Sequence, residues 1–197
     1  MKKNSWSTLK TVLAKDGVAV IPTDTLYGIV GKALSKKAVE RVYQIKGRDK
    51  GKPCIVLISS FEDLSKFGIN LKSASHRKWE PFLRHFWPDK ISIVLASSNS
   101  KWRYLHRGSG GISFRMVGPK NKNLYKLLQD VGPLVAPSAN IQGEAPARTI
   151  GEAKKYFADQ VDLYVNGGTR NIPPSTLVSL LGSEPKVLRQ GSVDIYK

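Results

Sequence analysis

Hydrophobic positions in this chain recur in two rhythms, one of three and four residues and one of short unbroken runs. Near the start, Leu9, Val12 and Leu13 fall on one face of a helix that Ser5 or Ser7 can cap and Gly17 closes. A second helix opens at Ser35, turns Ala38, Val39, Val42 and Ile45 inward and stops at Gly47. Between 76 and 87, Trp79, Phe82, Leu83, Phe86 and Trp87 repeat at helical spacing, with Pro81 in a first turn or at a kink and Pro88 at the end. Shorter helices are expected over FEDLSKFG (61–68), near 122–131 and near 150–157. The unbroken runs read as buried strands: VAVIP (18–22), CIVLIS (54–59), ISIVLA (91–96), GISFRM (111–116) and PLVAP (133–137). DLYVN, STLVSLL and PKVLRQG complete the tail. The segment PTDTLYGIVG (22–31), polar at its head and rich in glycine, reads as a loop.

Strands alternate with helices early and dominate late, which predicts an α/β fold with a mixed, parallel and antiparallel sheet and helices packed on it. No repeat, low-complexity tract or composition break marks a linker, so residues 1–197 are expected to form a single domain. With 41% hydrophobic residues the chain can bury a core. Lys and Arg outnumber Asp and Glu 32 to 15, a formal net charge of +17. That excess attracts phosphates, nucleic acid or anionic membrane, although a generally basic solvated surface accounts for it as well. Cys54 stands alone, which excludes an internal disulfide and places it as a small core residue. The start has two lysines with no apolar run behind them, and no window approaches a membrane span. A soluble cytoplasmic protein with no membrane partner is expected.

The string KGRDKGKP (46–53) puts Lys46, Arg48, Lys50 and Lys52 in seven positions ahead of a strand. It fails as a phosphate loop, because three residues separate its glycines and Pro53 follows the last Lys. Its glycines and proline make it a loop whose crowded cations a polyanion would relieve; a solvated loop partly offset by Asp49 is the alternative. No metalloprotease, hydrolase or zinc pattern is present, and His76, His85 and His106 read as surface residues. Ser138 and Asn140 in APSANIQGEAP suit either a plain turn or contacts to a phosphate or base edge. PTDT (22–25) brings two hydroxyls and a carboxylate to the end of a strand. Arg115 and Arg189 lie in strands, where each should face a carboxylate or a bound anion. KWRYLHR (101–107) interleaves aromatics and cations, which fits single-stranded nucleic acid or an exposed basic loop with its aromatics tucked underneath.

In this order, PTDTLYG, KGRDKGKP, FWP (86–88), GISFRM, APSAN (136–140), NGG (166–168), STLVS (175–179) and LRQG (188–191) resemble the YrdC-like threonylcarbamoyl-AMP synthases, from about residue 8 to residue 192. The resemblance implies a twisted sheet curved around a large basic cavity. It also implies an enzyme that makes threonylcarbamoyl-AMP and pyrophosphate from L-threonine, bicarbonate and ATP, for modification of tRNA by partner proteins. By position, Lys46 and Arg48 resemble the phosphate-binding pair, with Lys52 behind them. Ser138, Asn140, Pro146 and Arg189 resemble nucleotide contacts. Thr25, Arg115, Ala136 and Ser175 match positions that hold threonine. Mg²⁺ is expected on the triphosphate, and no carboxylate cluster marks a protein-held metal. Direct contact with tRNA or double-stranded RNA through the basic surface is a further expectation.

Three positions depart from the family pattern. Asp49 replaces a common proline, Leu57 stands where some members place a polar threonine contact, and Ser179 replaces an aspartate. The chain resembles the short members that lack a second, smaller domain. Two rival readings stay open: a nucleotide-binding relative with a different acceptor, and an RNA-binding module without catalysis.

Overall fold

The structure is a computed structural model that describes residues 5–197. Among these residues nine strands form one sheet. They are β1 (Ala19–Pro22), β2 (Tyr27–Lys32), β3 (Ile55–Ile58), β4 (Ile91–Ala96), β5 (Gly111–Met116), β6 (Leu134–Val135), β7 (Leu163–Tyr164), β8 (Thr176–Ser179) and β9 (Lys186–Arg189). Their spatial order is β7-β1-β2-β6-β3-β5-β4-β8-β9. The β1–β7, β3–β5 and β4–β8 pairs are parallel and the rest antiparallel, the mixed sheet expected from the sequence.

Among the described residues six α-helices cover it: α1 (Ser5–Ala14), α2 (Lys36–Lys46), α3 (Glu80–Phe86), α4 (Arg103–His106), α5 (Lys122–Val131) and α6 (Ile150–Phe157). The limits of α2 follow from its ends. The Ser35 hydroxyl accepts from the Ala38 N–H, and Gly47 closes the helix in the left-handed region at φ 57°. Ser7 lies inside α1, and the start of that helix, where Ser5 stands, borders residues outside the described range. The apolar stripe of 76–87 divides into a 3₁₀ turn (Arg77–Trp79) and α3, with Pro81 in the first turn of α3.

Side chains alternate across the sheet and feed two apolar layers. Ala19 and Ile21 of β1 join Leu9 and Leu13 of α1 and Leu124, Leu127 and Leu128 of α5 on one face. Val20, Ile29, Ile93, Ile112 and Phe114 join α2, α3 and α6 on the other. On β5 this leaves Ser113 and Arg115 on the face opposite Phe114, at the register of Ile55 and Leu57 of β3.

Three expectations change. The segment read as one loop, PTDTLYGIVG, contains β2, paired with β1 in a hairpin. Gly28 and Gly31 belong to the strand because a side chain would crowd Thr23 and Ala38 there; a Cβ would lie 3.0 and 3.3 Å from them. KWRYLHR is helical where a loop was expected; Trp102 is tucked underneath, as one of the two readings had it, buried against Phe67 with no face presented to a nucleobase. His76 and His106 are buried, not on the surface. His76 Nε2 lies 3.0 Å from the Ala96 carbonyl, and His106 Nδ1 accepts from the Gly108 N–H.

Candidate active site

The face of β5 that carries Arg115 opens into a cavity of about 600 Å³. The β1–β2 turn supplies Thr23, Thr25 and Tyr27, and the α2–β3 loop supplies Arg48 and Pro53. The segment after β6 brings Ala136, Ser138, Pro146 and Arg148. From the chain leading into β8 come Arg170 and Ser175, and from the end of β9 comes Arg189. Five of the lining residues are arginines and none is acidic. Of the eleven residues singled out in the sequence, Thr25, Arg48, Arg115, Ala136, Ser138, Pro146, Ser175 and Arg189 line this space.

Lys46, Asn140 and Lys52 do not. The Lys46 side chain is 1% exposed, and its ammonium donates to the Ser138 carbonyl (2.6 Å), the Asn140 carbonyl and Asn140 Oδ1 (3.2 Å). Burial first, and then the neighbouring Arg48 guanidinium, pull its pKa down to about 8. Expected as a phosphate ligand, Lys46 ties the end of α2 to the Ser138–Asn140 loop. The Asn140 side chain is fully occupied within that loop. Its Oδ1 also accepts from the Ser138 hydroxyl, and its Nδ2 donates to the Ile141 and Glu144 carbonyls. Lys52 is exposed, and its carbonyl takes the Arg48 Nε–H at 3.0 Å. Arg48 Nη2 donates to the Pro53 carbonyl at 2.8 Å, which folds the loop around its own guanidinium.

Asp49 explains its own departure from the family pattern. Its carboxylate accepts from the Gly51 N–H, closing a turn, and its N–H donates to Gln142 Oε1, a bond no proline could make. Leu57 and Ser179 lie outside the cavity lining: Leu57 is packed in the α1/α5 layer, and the Ser179 hydroxyl accepts from the Leu181 N–H.

Arg115 is 3% exposed and meets the carboxylate expected of a buried strand arginine. Its Nη2 lies 2.8 Å from Asp24 Oδ1, and Nη1 lies 3.4 Å from the Thr25 hydroxyl. The ion pair is close yet not aligned as a hydrogen bond, and Arg115 Nε also has no partner among the described residues. Burial lowers the Arg115 pKa and Asp24 opposes the shift. Arg189 donates through Nη2 to the Ser175 carbonyl at 2.8 Å; burial and then the charge of Arg115 lower its pKa. Two guanidiniums that repel across one cavity favour an anion between them. Ser175 is held from behind by Ser92, with hydroxyl oxygens 2.9 Å apart.

Sequence reasoning missed Asp24, Arg148 and Arg170. The sequence shows the Asp24 carboxylate in the strand-end loop PTDT, but not that it is the partner of Arg115. Arg148 and Arg170 follow APSAN and NGG by a few residues, with arginine itself as the only signal. NGG acts at a distance. The Gly167 N–H donates to the Tyr27 hydroxyl, which donates to the Gly168 carbonyl, so the glycines lock the β1–β2 hairpin to the chain that carries Arg170.

A family model named Sua5/YciO/YrdC and described as "Telomere recombination" matches residues 11–191. The chain belongs to this family. It is 30% identical over 180 residues to a threonylcarbamoyl-AMP synthase of Pyrococcus abyssi, covering 90% of this chain and 51% of that one. The structure of P. abyssi Sua5 complexed with L-threonine superposes with a TM-score of 0.84 at 28% identity, covering 94% of this chain and 54% of that one. E. coli YciO superposes with a TM-score of 0.81 at 25% identity and covers 96% of this chain and 90% of its own. The chain thus spans about half the length of the P. abyssi protein and nearly all of YciO. Among the described residues no helix is long and apolar enough to cross a membrane.

Proposed function

We propose that the protein is an L-threonylcarbamoyladenylate synthase, joining L-threonine, bicarbonate and ATP into threonylcarbamoyl-AMP, pyrophosphate and water. The observation that carries this reading is a single cavity lined by five arginines and no acid, with the hydroxyls of Thr25, Ser138 and Ser175 on its wall. Membership of a family that includes threonylcarbamoyl-AMP synthases supports it.

In this reading the threonine carboxylate lies against Arg115, whose planar fork suits it, with Thr25, Ser175 and the Ala136 carbonyl around the rest of the amino acid. Arg48 and Arg189 neutralise phosphate oxygens, and Ser138 and Pro146 line the nucleotide side. Lys46 and Asn140 hold that side in shape from behind. The threonine amine takes up carbon dioxide from bicarbonate, and a carbamate oxygen attacks the α-phosphorus as pyrophosphate leaves. No protein nucleophile is required, and the rate comes from alignment and from charge neutralisation on the phosphates. Magnesium enters as the counter-ion of ATP, since the cavity lining offers no carboxylate to fix it. The product goes on to tRNA modification by other proteins, and residues 1–197 act as one unit.

The test is pyrophosphate release from ATP with and without L-threonine and bicarbonate. Release is expected only with both. Release indifferent to threonine points instead to a relative with another acceptor, and no release under any condition to a binding module.

A further inference from the structure

Among the described residues, Arg115 alone of the five cavity arginines has a carboxylate partner. Asp24 is itself 7% exposed and lies outside the lining, one residue before Thr25, which does line it. Its Oδ1 contacts Arg115, which lines the cavity. Its Oδ1 sits at ion-pair distance from Arg115 Nη2 without hydrogen-bond alignment, while Arg115 Nε is buried and unpartnered. Such a contact neutralises charge without using up the guanidinium's donors. Arg115 and Arg189 line the same cavity, and the Asp24 carboxylate offsets one of these two charges.

We propose that Asp24 is a positioning and specificity-determining residue for the substrate amino acid. It holds Arg115 in place to receive a carboxylate, and it sets the local charge so that a single carboxylate is matched. The site then favours a ligand with one carboxylate at Arg115 over a dicarboxylate, whose second carboxylate Asp24 would repel. This rests on the function proposed above for the substrate and on the geometry alone for the charge selection.

Calorimetric binding of L-threonine and of malonate to the whole protein tests it, alongside threonine-dependent pyrophosphate release. In Asp24→Asn, threonine binding and its KM should weaken about tenfold with the KM for ATP unchanged, while malonate binds about tenfold more tightly. A purely structural role would not move two ligands in opposite directions. Removing both charges in Asp24→Asn/Arg115→Gln leaves no uncompensated buried ion, and there malonate affinity should return to within twofold of the wild type. The double variant also decides the matter if Asp24→Asn does not fold. Malonate binding unchanged in Asp24→Asn, a shift of both ligands in the same direction, or a double variant that still binds malonate tightly would each overturn the proposal. If the wild type neither binds nor uses threonine, the proposed function falls, while the malonate arm still decides the role of Asp24.

Discussion

Lys46 stands where a phosphate ligand is expected and turns its three N–H groups on the protein instead. The ammonium has three oxygen acceptors and almost no water, and its pKa of about 8 keeps it charged at neutral pH. An unfolded chain keeps a lysine protonated up to its ordinary value of 10.5. Between about pH 8 and 10.5 the unfolded state therefore binds more protons than the folded one, and the Lys46 contribution to stability rises with pH. From pH 7.5 to 9.5 the rise is about 2 kcal/mol at about 1.4 kcal/mol per unit. Lys46→Met lacks this contribution. Denaturant midpoints of the two proteins should diverge across that range, the wild type gaining relative to the variant; parallel curves would refute the low pKa. The same substitution frees the Ser138–Asn140 loop, so the KM for ATP should rise about tenfold even though Lys46 does not line the cavity. The sequence showed where this cation lies along the chain but not which way it points. A lysine at the last turn of a helix looks alike whether it faces solvent or turns under.

The elements show the same boundary between what spacing reveals and what only packing reveals. β4, β5, α5 and α6 lie where their apolar patterns put them, because each carries enough periodic residues to dominate its segment. β2 escaped because two glycines replace the side chains that would have announced a strand, and they are there for close approach. LRQG follows the same logic at the far edge of the sheet. A Cβ on Gly191 would fall 2.3 Å from the Pro174 carbonyl and 2.6 Å from the Thr176 nitrogen, both backbone atoms. The strand carrying Arg189 thus packs directly on the chain carrying Ser175. Gly191→Ala must push these segments apart, moving Arg189 off the Ser175 carbonyl. A loss of about 1–3 kcal/mol in stability is expected, as for overpacked sites, together with a raised KM for both ATP and threonine. A variant with wild-type kinetics and an unchanged melting curve would show that β9 does not set the geometry of the cavity.

At the scale of the molecule, the cavity is assembled from distant parts of the chain. Thr25 and Tyr27 come from the first hairpin and Arg189 from the last strand, and the sheet joins them through pairs in register. A ligand there bridges segments that otherwise meet only through the sheet, so ATP should stabilise the fold as one cooperative unit. At one hundred times its dissociation constant a ligand adds about 2.7 kcal/mol. For a chain of this length that raises the melting temperature by roughly 5–10 °C, at about 2–4 °C per kcal/mol. The net charge of +17 contributes to this in a way that salt separates from the specific contacts. Long-range attraction of a polyanion to the basic surface is screened beyond about 8–10 Å at ordinary ionic strength, whereas arginines in the cavity act at contact. ATP should therefore keep most of its stabilising effect in 0.15 M salt for the wild type and lose most of it in Arg189→Gln, which keeps the fold and nearly all of the surface charge. An ATP shift that disappears with salt and is indifferent to Arg189 would mean that the nucleotide binds the basic exterior and that the arginine-lined cavity serves another ligand.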